Sequence, residues 1–366
     1  MTPDQPIFWL PWMKRVLQLA SLGTGLTSPN PLVGAVVLDS EMNLVGEGFH
    51  RCAGSPHAEV GALSQAGERA RGGTLVVNLE PCCHFGRTPP CTEAIVKSGI
   101  SKVVVALKDP DPRVSGKGIA FLEETGLKVI KGVLEDEAAF LNKEFIFRVK
   151  NGRSWGILKW AMSFDGRIGL PNGESQWISG KEARKEVHSV RSKCDAVIVG
   201  GQTVRSDDPL LTSRGISEKE PLRVVLSNSL DLPHQAQVFD TSIARSLLAF
   251  DSTSPKKLLK RISEEVELLE LSPASPINLL EALSKRGCNS VLWECGPRLA
   301  TEVIKQNCVQ ELLVVASPKL LGGVNAMTPL GDFGISLISE AFSMEKPFLK
   351  RIGNDFLFRM EFPKNE

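Results

Sequence analysis

The sequence predicts an α/β protein built from two domains. Three observations carry this. Short apolar runs alternate with helical patterns through roughly the first 145 residues. The alternation restarts after a polar break at Asn151-Gly152-Arg153-Ser154. A length of 366 residues suits two domains at about 150 residues each. The expected boundaries are 1–150 and 151–366.

In the first half, residues 12–22 space apolar side chains as a helix does, and glycines follow. Residues 33–38 and 44–49 are apolar runs joined by the polar turn Asp39-Ser40-Glu41-Met42-Asn43, which predicts two strands. Residues 56–65 read as a helix, 74–79 and 102–107 as buried strands, 118–125 and 135–147 as helices, and 127–130 as a strand between them. Helices that cover both faces of a sheet make this a three-layer pattern. In the second half, a strand at 156–161 leads to a helix at 181–190. Ser179 and Glu182 form an expected capping box at its start. Strands are expected at 196–199, 222–226, 247–250, 266–271, 290–294 and 311–315. Helices are expected at 254–263, 276–285 and 297–306.

Composition excludes several classes. Charged residues are 23% and hydrophobic ones 42%, which is ordinary for a globular chain and wrong for a disordered one. The formal net charge of +1 gives no general attraction to nucleic acid or to an acidic membrane. No apolar run reaches the length of a membrane span. Asp4 precedes the apolar stretch Phe8-Trp9-Leu10-Pro11-Trp12, and Lys14 and Arg15 follow it, the reverse of a signal peptide. A cytoplasmic protein is expected. Eight cysteines are too few for a disulfide scaffold, and in a reducing compartment clustered cysteines serve metals or catalysis. Nothing in the sequence sets the oligomeric state, so a homo-oligomer stays open.

The sharpest local signal is His57-Ala58-Glu59 followed by Pro81-Cys82-Cys83-His84-Phe85-Gly86-Arg87-Thr88-Pro89-Pro90-Cys91. One imidazole and two thiolates form a three-ligand zinc site whose fourth position stays open for water. Zinc lowers the pKa of such a water toward neutrality. His57, Cys82 and Cys91 are the expected ligands, and Glu59 is the expected proton shuttle. His-x-Glu with Pro-Cys is the pattern of zinc-dependent nucleobase deaminases. His57 and Glu59 are expected in the first turn of a helix, and Cys91 at the start of another, where helix amides favour thiolate. Cys82 is preferred to Cys83 because it directly follows Pro81 at a strand end. Cys-x-x-Cys is the usual spacing. Here a longer insert carries His84 and Arg87 and is expected to shape a substrate pocket.

The chain resembles the bifunctional deaminase–reductase family of riboflavin biosynthesis. The first half carries Pro29-Asn30-Pro31-Leu32-Val33-Gly34, Gly46-Glu47-Gly48-Phe49-His50, His57-Ala58-Glu59 and the long-insert cysteine segment. The second carries Asp165-Gly166-Arg167, Gly173-Glu174-Ser175-Gln176-Trp177-Ile178, Asp207-Asp208-Pro209 and Glu294-Cys295-Gly296-Pro297. The resemblance implies a cytidine-deaminase-like three-layer α/β domain followed by a dihydrofolate-reductase-like α/β domain. It implies hydrolytic deamination of a phosphoribosylaminopyrimidine, then NADPH-dependent reduction of its ribosyl group, and no nucleic-acid or membrane partner. The cofactors implied are Zn2+ and NADPH. Asn30, His50 and His84 would line the first pocket.

Read alone, the second half says only that it is α/β and binds a ligand. It lacks Gly-x-Gly-x-x-Gly after a strand, so a Rossmann site is not supported. Gly296-Pro297 opens a helix whose first amides suit a phosphate. By the resemblance, Ala161, Trp177, Thr203, Asp207, Asn228, Gly296, Pro297, Arg298, Leu299, Ala300, Thr301 and Glu302 would contact NADPH. Ser175, Arg191, Leu211, Arg214 and Glu294 would contact the substrate. His188 and His234 read as surface residues. A rival reading is a zinc deaminase acting on another nucleobase or RNA, with a decayed reductase domain. The near-zero charge argues against RNA.

Overall fold

The computed structural model describes residues 5–85 and 89–363, and the chain divides into two compact units, 1–151 and 152–366. Arg87 lies outside the described residues. No helix among the described residues is long and apolar enough to cross a membrane.

The first unit runs α1 (Leu10–Ser21), β1 (Gly34–Leu38), β2 (Leu44–Phe49), α2 (Ala58–Ala66), β3 (Thr74–Leu79), α3 (Cys91–Lys97), β4 (Lys102–Leu107), α4 (Lys117–Glu124), β5 (Lys128–Lys131), α5 (Glu135–Leu141) and α6 (Lys143–Asn151). The sheet order is β2-β1-β3-β4-β5. The β2–β1 and β1–β3 pairs are antiparallel, and the β3–β4 and β4–β5 pairs are parallel. Successive strand residues point to opposite faces. Ala35, Val37, Leu75, Val77, Val103 and Val105 therefore pack with α2, while Val36, Leu38, Val76, Val104 and Ala106 pack with Trp9, Met13 and Val16. Burial on both faces explains why these strands read as unbroken apolar runs.

Gly46 and Gly48 seat α2 on β2. A Cβ at Gly46 would overlap the Ala62 carbonyl oxygen. One at Gly48 would overlap that of Ala58 and lie 2.8 Å from the Ala62 nitrogen. Only glycine permits so close an approach.

The second unit runs β6 (Trp155–Ser163), α7 (Lys181–Arg191), β7 (Ala196–Gly200), α8 (Gly201–Asp207), β8 (Leu222–Leu226), β9 (Ser246–Asp251), β10 (Glu267–Leu271), α9 (Pro276–Lys285), β11 (Ser290–Trp293), α10 (Pro297–Lys305), β12 (Glu311–Ser317), β13 (Glu345–Ile352) and β14 (Asp355–Glu361). Its sheet order is β10-β9-β8-β7-β11-β6-β12-β14-β13. Strands from β10 to β12 are parallel, and the terminal hairpin adds two antiparallel strands. The chain steps outward from β7 to β10 and then returns to insert β11 between β7 and β6. That reversal leaves a crevice at the carboxyl ends of β6, β7 and β11, where open α/β sheets bind ligands.

Four expectations need correction. The helix expected at 135–147 is two helices, broken at Asn142, whose side chain bonds Leu32 instead of extending the helix. Residues 256–261 form a 3-10 helix, which suffices to lay Leu258 and Leu259 on the core. The capping box at Ser179 is not formed: Gly180 is the N-cap, and its amide donates to the Asp355 carboxylate at 2.6 Å. The hairpin β13–β14 was not expected, although Gly353-Asn354 at its tip is a turn signal.

Candidate functional sites

The first site gathers at the end of β3 and the starts of α2 and α3. His57 is the N-cap of α2, and Cys91 is the first residue of α3. The His57 Nδ1 lies 3.1 Å from the Cys91 sulfur and 3.6 Å from the Cys82 sulfur. Ligand atoms of all three residues fall within 4.8 Å of one another. A tetrahedral zinc with Zn–N of about 2.0–2.1 Å and Zn–S of about 2.3 Å spaces N and S about 3.5 Å apart, so the donor set fits Zn2+. The Cys91 amide donates to the Cys82 sulfur at 3.3 Å. The Cys82 thiol is pulled down to about 4, first by its bond from Cys91 and also by His57, against burial. The Cys91 thiol is pushed up by the Cys82 sulfur and by burial. One thiolate is thus shared between two sulfurs that a dication would hold as a pair. Cys83 is outside the cluster, and burial and the Glu80 charge push its thiol up.

Glu59 stands two residues into this helix start and is only 4% exposed. Burial first, and the charge of Cys82 next, raise its carboxyl above the ordinary range. It faces a cavity of about 430 Å³ together with Asn30, His50, His57, Cys82 and His84. Asn30 donates its amide to the Thr27 carbonyl, and two buried asparagines hold the backbone two residues on. Asn78 Nδ2 and Asn142 Nδ2 donate to the Leu32 carbonyl at 2.9 and 3.0 Å, and Asn142 Oδ1 accepts the Leu32 amide at 2.8 Å. The His50 ring lies 3.0 Å from Asn30 Nδ2 through Nε2 and 3.3 Å from the Pro56 carbonyl through Nδ1. A proton on Nδ1 satisfies both contacts, and burial lowers the His50 pKa, so the ring is neutral. His84 presents a buried Nδ1 with no hydrogen-bond partner. The cavity also holds residues the sequence did not single out, Glu80, Asp109, Asp111 and Arg113. Burial raises the Asp109 carboxyl to about 6.

The second site is a cleft of about 580 Å³ at the strand-order reversal. Ala161, Ser175, Trp177, Arg191, Thr203, Asp207, Leu211, Arg214, Glu294, Gly296 and Pro297 all line it. Asn228 does not, and is exposed beyond the end of β8. Arg298 to Glu302 do not line it: Arg298 is exposed, Ala300 packs in the core of the sheet, and Thr301 is buried with its hydroxyl donating to the Pro297 carbonyl and accepting the Gly331 amide. His188 is a correction in the other direction, since it is half-buried in the cleft wall. His234 is exposed.

The floor of this cleft is charged. Arg191 donates to Glu294 through Nε at 2.5 Å and Nη2 at 3.0 Å, and to the Thr212 carbonyl through Nη1 at 3.0 Å. Its fork is therefore occupied within the protein, and the exposed Arg214 is the arginine whose position suits an anion. Lys159 Nζ lies 3.7 Å from Glu294 Oε2. Burial pushes the Glu294 carboxyl up, yet Arg191 and Lys159 together pull it down to about 2. Burial lowers the Lys159 pKa against the pull of Glu294. The sequence held one hint of Lys159, a lone charge inside the apolar strand β6.

A His–Cys–Cys donor set that fits zinc beside a buried acid in one unit, and a charged cleft at a sheet reversal in the other, suit a deaminase joined to a reductase. Residues 10–107 match the family model for the cytidine and deoxycytidylate deaminase zinc-binding region, and residues 154–358 match that for the RibD C-terminal domain. The riboflavin biosynthesis protein RibD of Synechocystis is 48% identical over 347 residues, 94% of each chain. The solved RibD of Acinetobacter baumannii superposes with a TM-score of 0.89 at 35% identity, covering 98% of this chain and 99% of that one. A diaminohydroxyphosphoribosylaminopyrimidine deaminase/5-amino-6-(5-phosphoribosylamino)uracil reductase from Thermotoga maritima gives 0.84 at 35% identity over 98% and 99%. The chain belongs to the RibD family, bifunctional deaminases and reductases of riboflavin biosynthesis. These matches run through both units, so the reading of a lone nucleobase or RNA deaminase with a decayed partner is not favoured. They support Zn2+ for the deaminase region and point to a nicotinamide cofactor for the reductase domain.

Proposed function

We propose that the first unit replaces the 2-amino group of 2,5-diamino-6-(5-phosphoribosylamino)pyrimidin-4(3H)-one with oxygen from water, releasing ammonia. The second unit then reduces the ribosyl group of the resulting 5-amino-6-(5-phosphoribosylamino)uracil with NADPH, giving 5-amino-6-(5-phosphoribitylamino)uracil. The observation that carries this reading is the pairing of the His57–Cys82–Cys91 cluster and Glu59 with a separate charged cleft.

His57, Cys82 and Cys91 would hold the metal, which when bound would lower the pKa of a water toward neutrality. Glu59 takes the proton from that water and returns it to the departing amine, and its raised pKa suits a group that must hold the proton between those events. Asn30 and neutral His50 present fixed hydrogen-bonding edges to the pyrimidine, and the unpartnered Nδ1 of His84 offers another.

In the second unit a bound nicotinamide cofactor would supply a hydride to the sugar carbon bonded to the amine, with the bond from that carbon to the ring oxygen breaking and that oxygen taking a proton. Lys159 is placed to give that proton, held by Glu294. Arg191 keeps Glu294 ionised and oriented, and Arg214 takes the phosphate. Gly296 and Pro297 line the cleft at the start of α10, whose helix dipole favours the phosphates of a cofactor. Reduced thiols at the cluster fit a cytoplasmic enzyme.

The test is incubation with the diaminopyrimidine, followed by product mass. Without NADPH the mass should rise by the exchange of NH for O alone, and with NADPH by two further hydrogens. A product reduced without prior loss of ammonia contradicts the order. Comparable kcat/KM with NADH and NADPH contradicts the choice of cofactor.

A further inference from the structure

Glu80 is two residues before Cys82 and only 3% exposed. Its carboxylate accepts four backbone amides. Oε1 takes those of Gly118 at 2.9 Å and Ile119 at 3.1 Å, and Oε2 takes those of Gly116 at 2.8 Å and Asp109 at 3.2 Å. Gly116 is the N-cap of α4, has a left-handed φ of 91°, and brings no side chain to cap the helix. Glu80 supplies that anion from across the site. The four donors grip the 109–119 segment at both ends. Between them, Asp109, Asp111, Arg113 and Val114 line the cavity that holds His57, Glu59 and Cys82. The packing is tight on the cysteine side too, since a Cβ at Gly118 would overlap the Pro81 carbonyl oxygen. One carboxylate therefore joins the strand end that carries a metal ligand to the facing cavity wall.

We propose that Glu80 is a positioning residue for deamination. It holds the 109–114 wall in register with Cys82 and so sets where the pyrimidine sits. This rests on the reading of the cavity as the deamination site. Glu80→Gln keeps the side-chain volume. However its amide is turned, an NH2 faces two backbone donors, so two of the four lose their acceptor. In the zinc-loaded full chain, E80Q should keep about one zinc, hold kcat for ammonia release within about threefold, and raise KM for the diaminopyrimidine roughly tenfold. Glu80→Ala should raise KM further. Reduction of the already deaminated uracil by the same chain should be unchanged, which reports an intact second unit.

An unchanged KM overturns the proposal. So does loss of zinc together with activity in E80Q, which would make Glu80 a support of the metal alone. If E80Q yields no folded protein, amide exchange in the wild type decides. The Asp109, Gly116, Gly118 and Ile119 amides should all be slow, and a fast Asp109 overturns the proposal. The cavity reading fails by a different result, continued ammonia release by Glu59→Gln.

Discussion

Glu59 and Glu294 are both buried carboxyls in clefts, and their surroundings drive them in opposite directions. At Glu59, burial and the neighbouring Cys82 charge favour the protonated acid. At Glu294, the cations Arg191 and Lys159 overcome burial and hold the carboxylate down to about 2. On the proposed function, the same side chain would carry a proton in one unit and serve as a fixed counter-charge in the other. Burial alone does not assign a carboxylate its role; the sign of the charge beside it does.

The contrast is broken most strongly at Glu59. Glu59→Gln keeps shape and removes no metal ligand, so zinc should stay while ammonia release falls by about 10²–10⁴-fold, the range of general acid–base catalysis. Zinc analysis beside an ammonia assay checks this, and near-normal turnover would remove Glu59 from the chemistry.

Gly48→Ala attacks the same site from beneath. The new Cβ overlaps the Ala58 carbonyl oxygen, so α2 must lift and carry His57 and Glu59 with it. A loss of about 1–3 kcal/mol in first-unit stability and weaker zinc retention are expected, read by denaturant unfolding and metal content. Wild-type values in this variant would mean that the close seating of α2 does not set the site.

The pH dependence sharpens the other half. The folded pKa of Glu294 is depressed from 4.5 to about 2. Its stabilisation is therefore complete above the unfolded value and is lost as pH falls from about 4.5 through 2. That contribution is on the order of 3 kcal/mol. Glu294→Gln should lose it at neutral pH, unfold more easily, and show a flatter acid limb in second-unit melting. A steep acid limb unchanged in the variant would place the titration elsewhere. The smallest effect is expected at Cys83, which is outside the cluster. Cys83→Ser should keep zinc and ammonia release, whereas Cys82→Ser should lose most of both.

The sequence showed these two regions unequally. The zinc cluster was legible because its donors come from short motifs whose residue types have few other uses, and each stands at a helix start or strand end. The apolar strands of the first unit were legible because both faces of its sheet are covered. Lys159 was not, since its meaning depends on Glu294, which only the insertion of β11 beside β6 brings near. Glu80 was hidden likewise, as its partners lie beyond β4 in the chain. The placement of Arg191 against Glu294 could not be read from an arginine at a helix end, and neither could the burial of Ala300 in the core. Side-chain pairings between distant segments are set by topology, and single-sequence patterns carry little of it.

We propose that one chain holds two sites, one in each unit, and that each works without the other. The direct measurement mixes Glu59→Gln protein with Glu294→Gln protein and supplies the diaminopyrimidine with NADPH. Each variant alone should give little ribityl product, and the mixture should form far more, because the second protein makes the uracil that the first reduces. No ribityl product from the mixture, with each protein retaining its own remaining activity, would contradict the account.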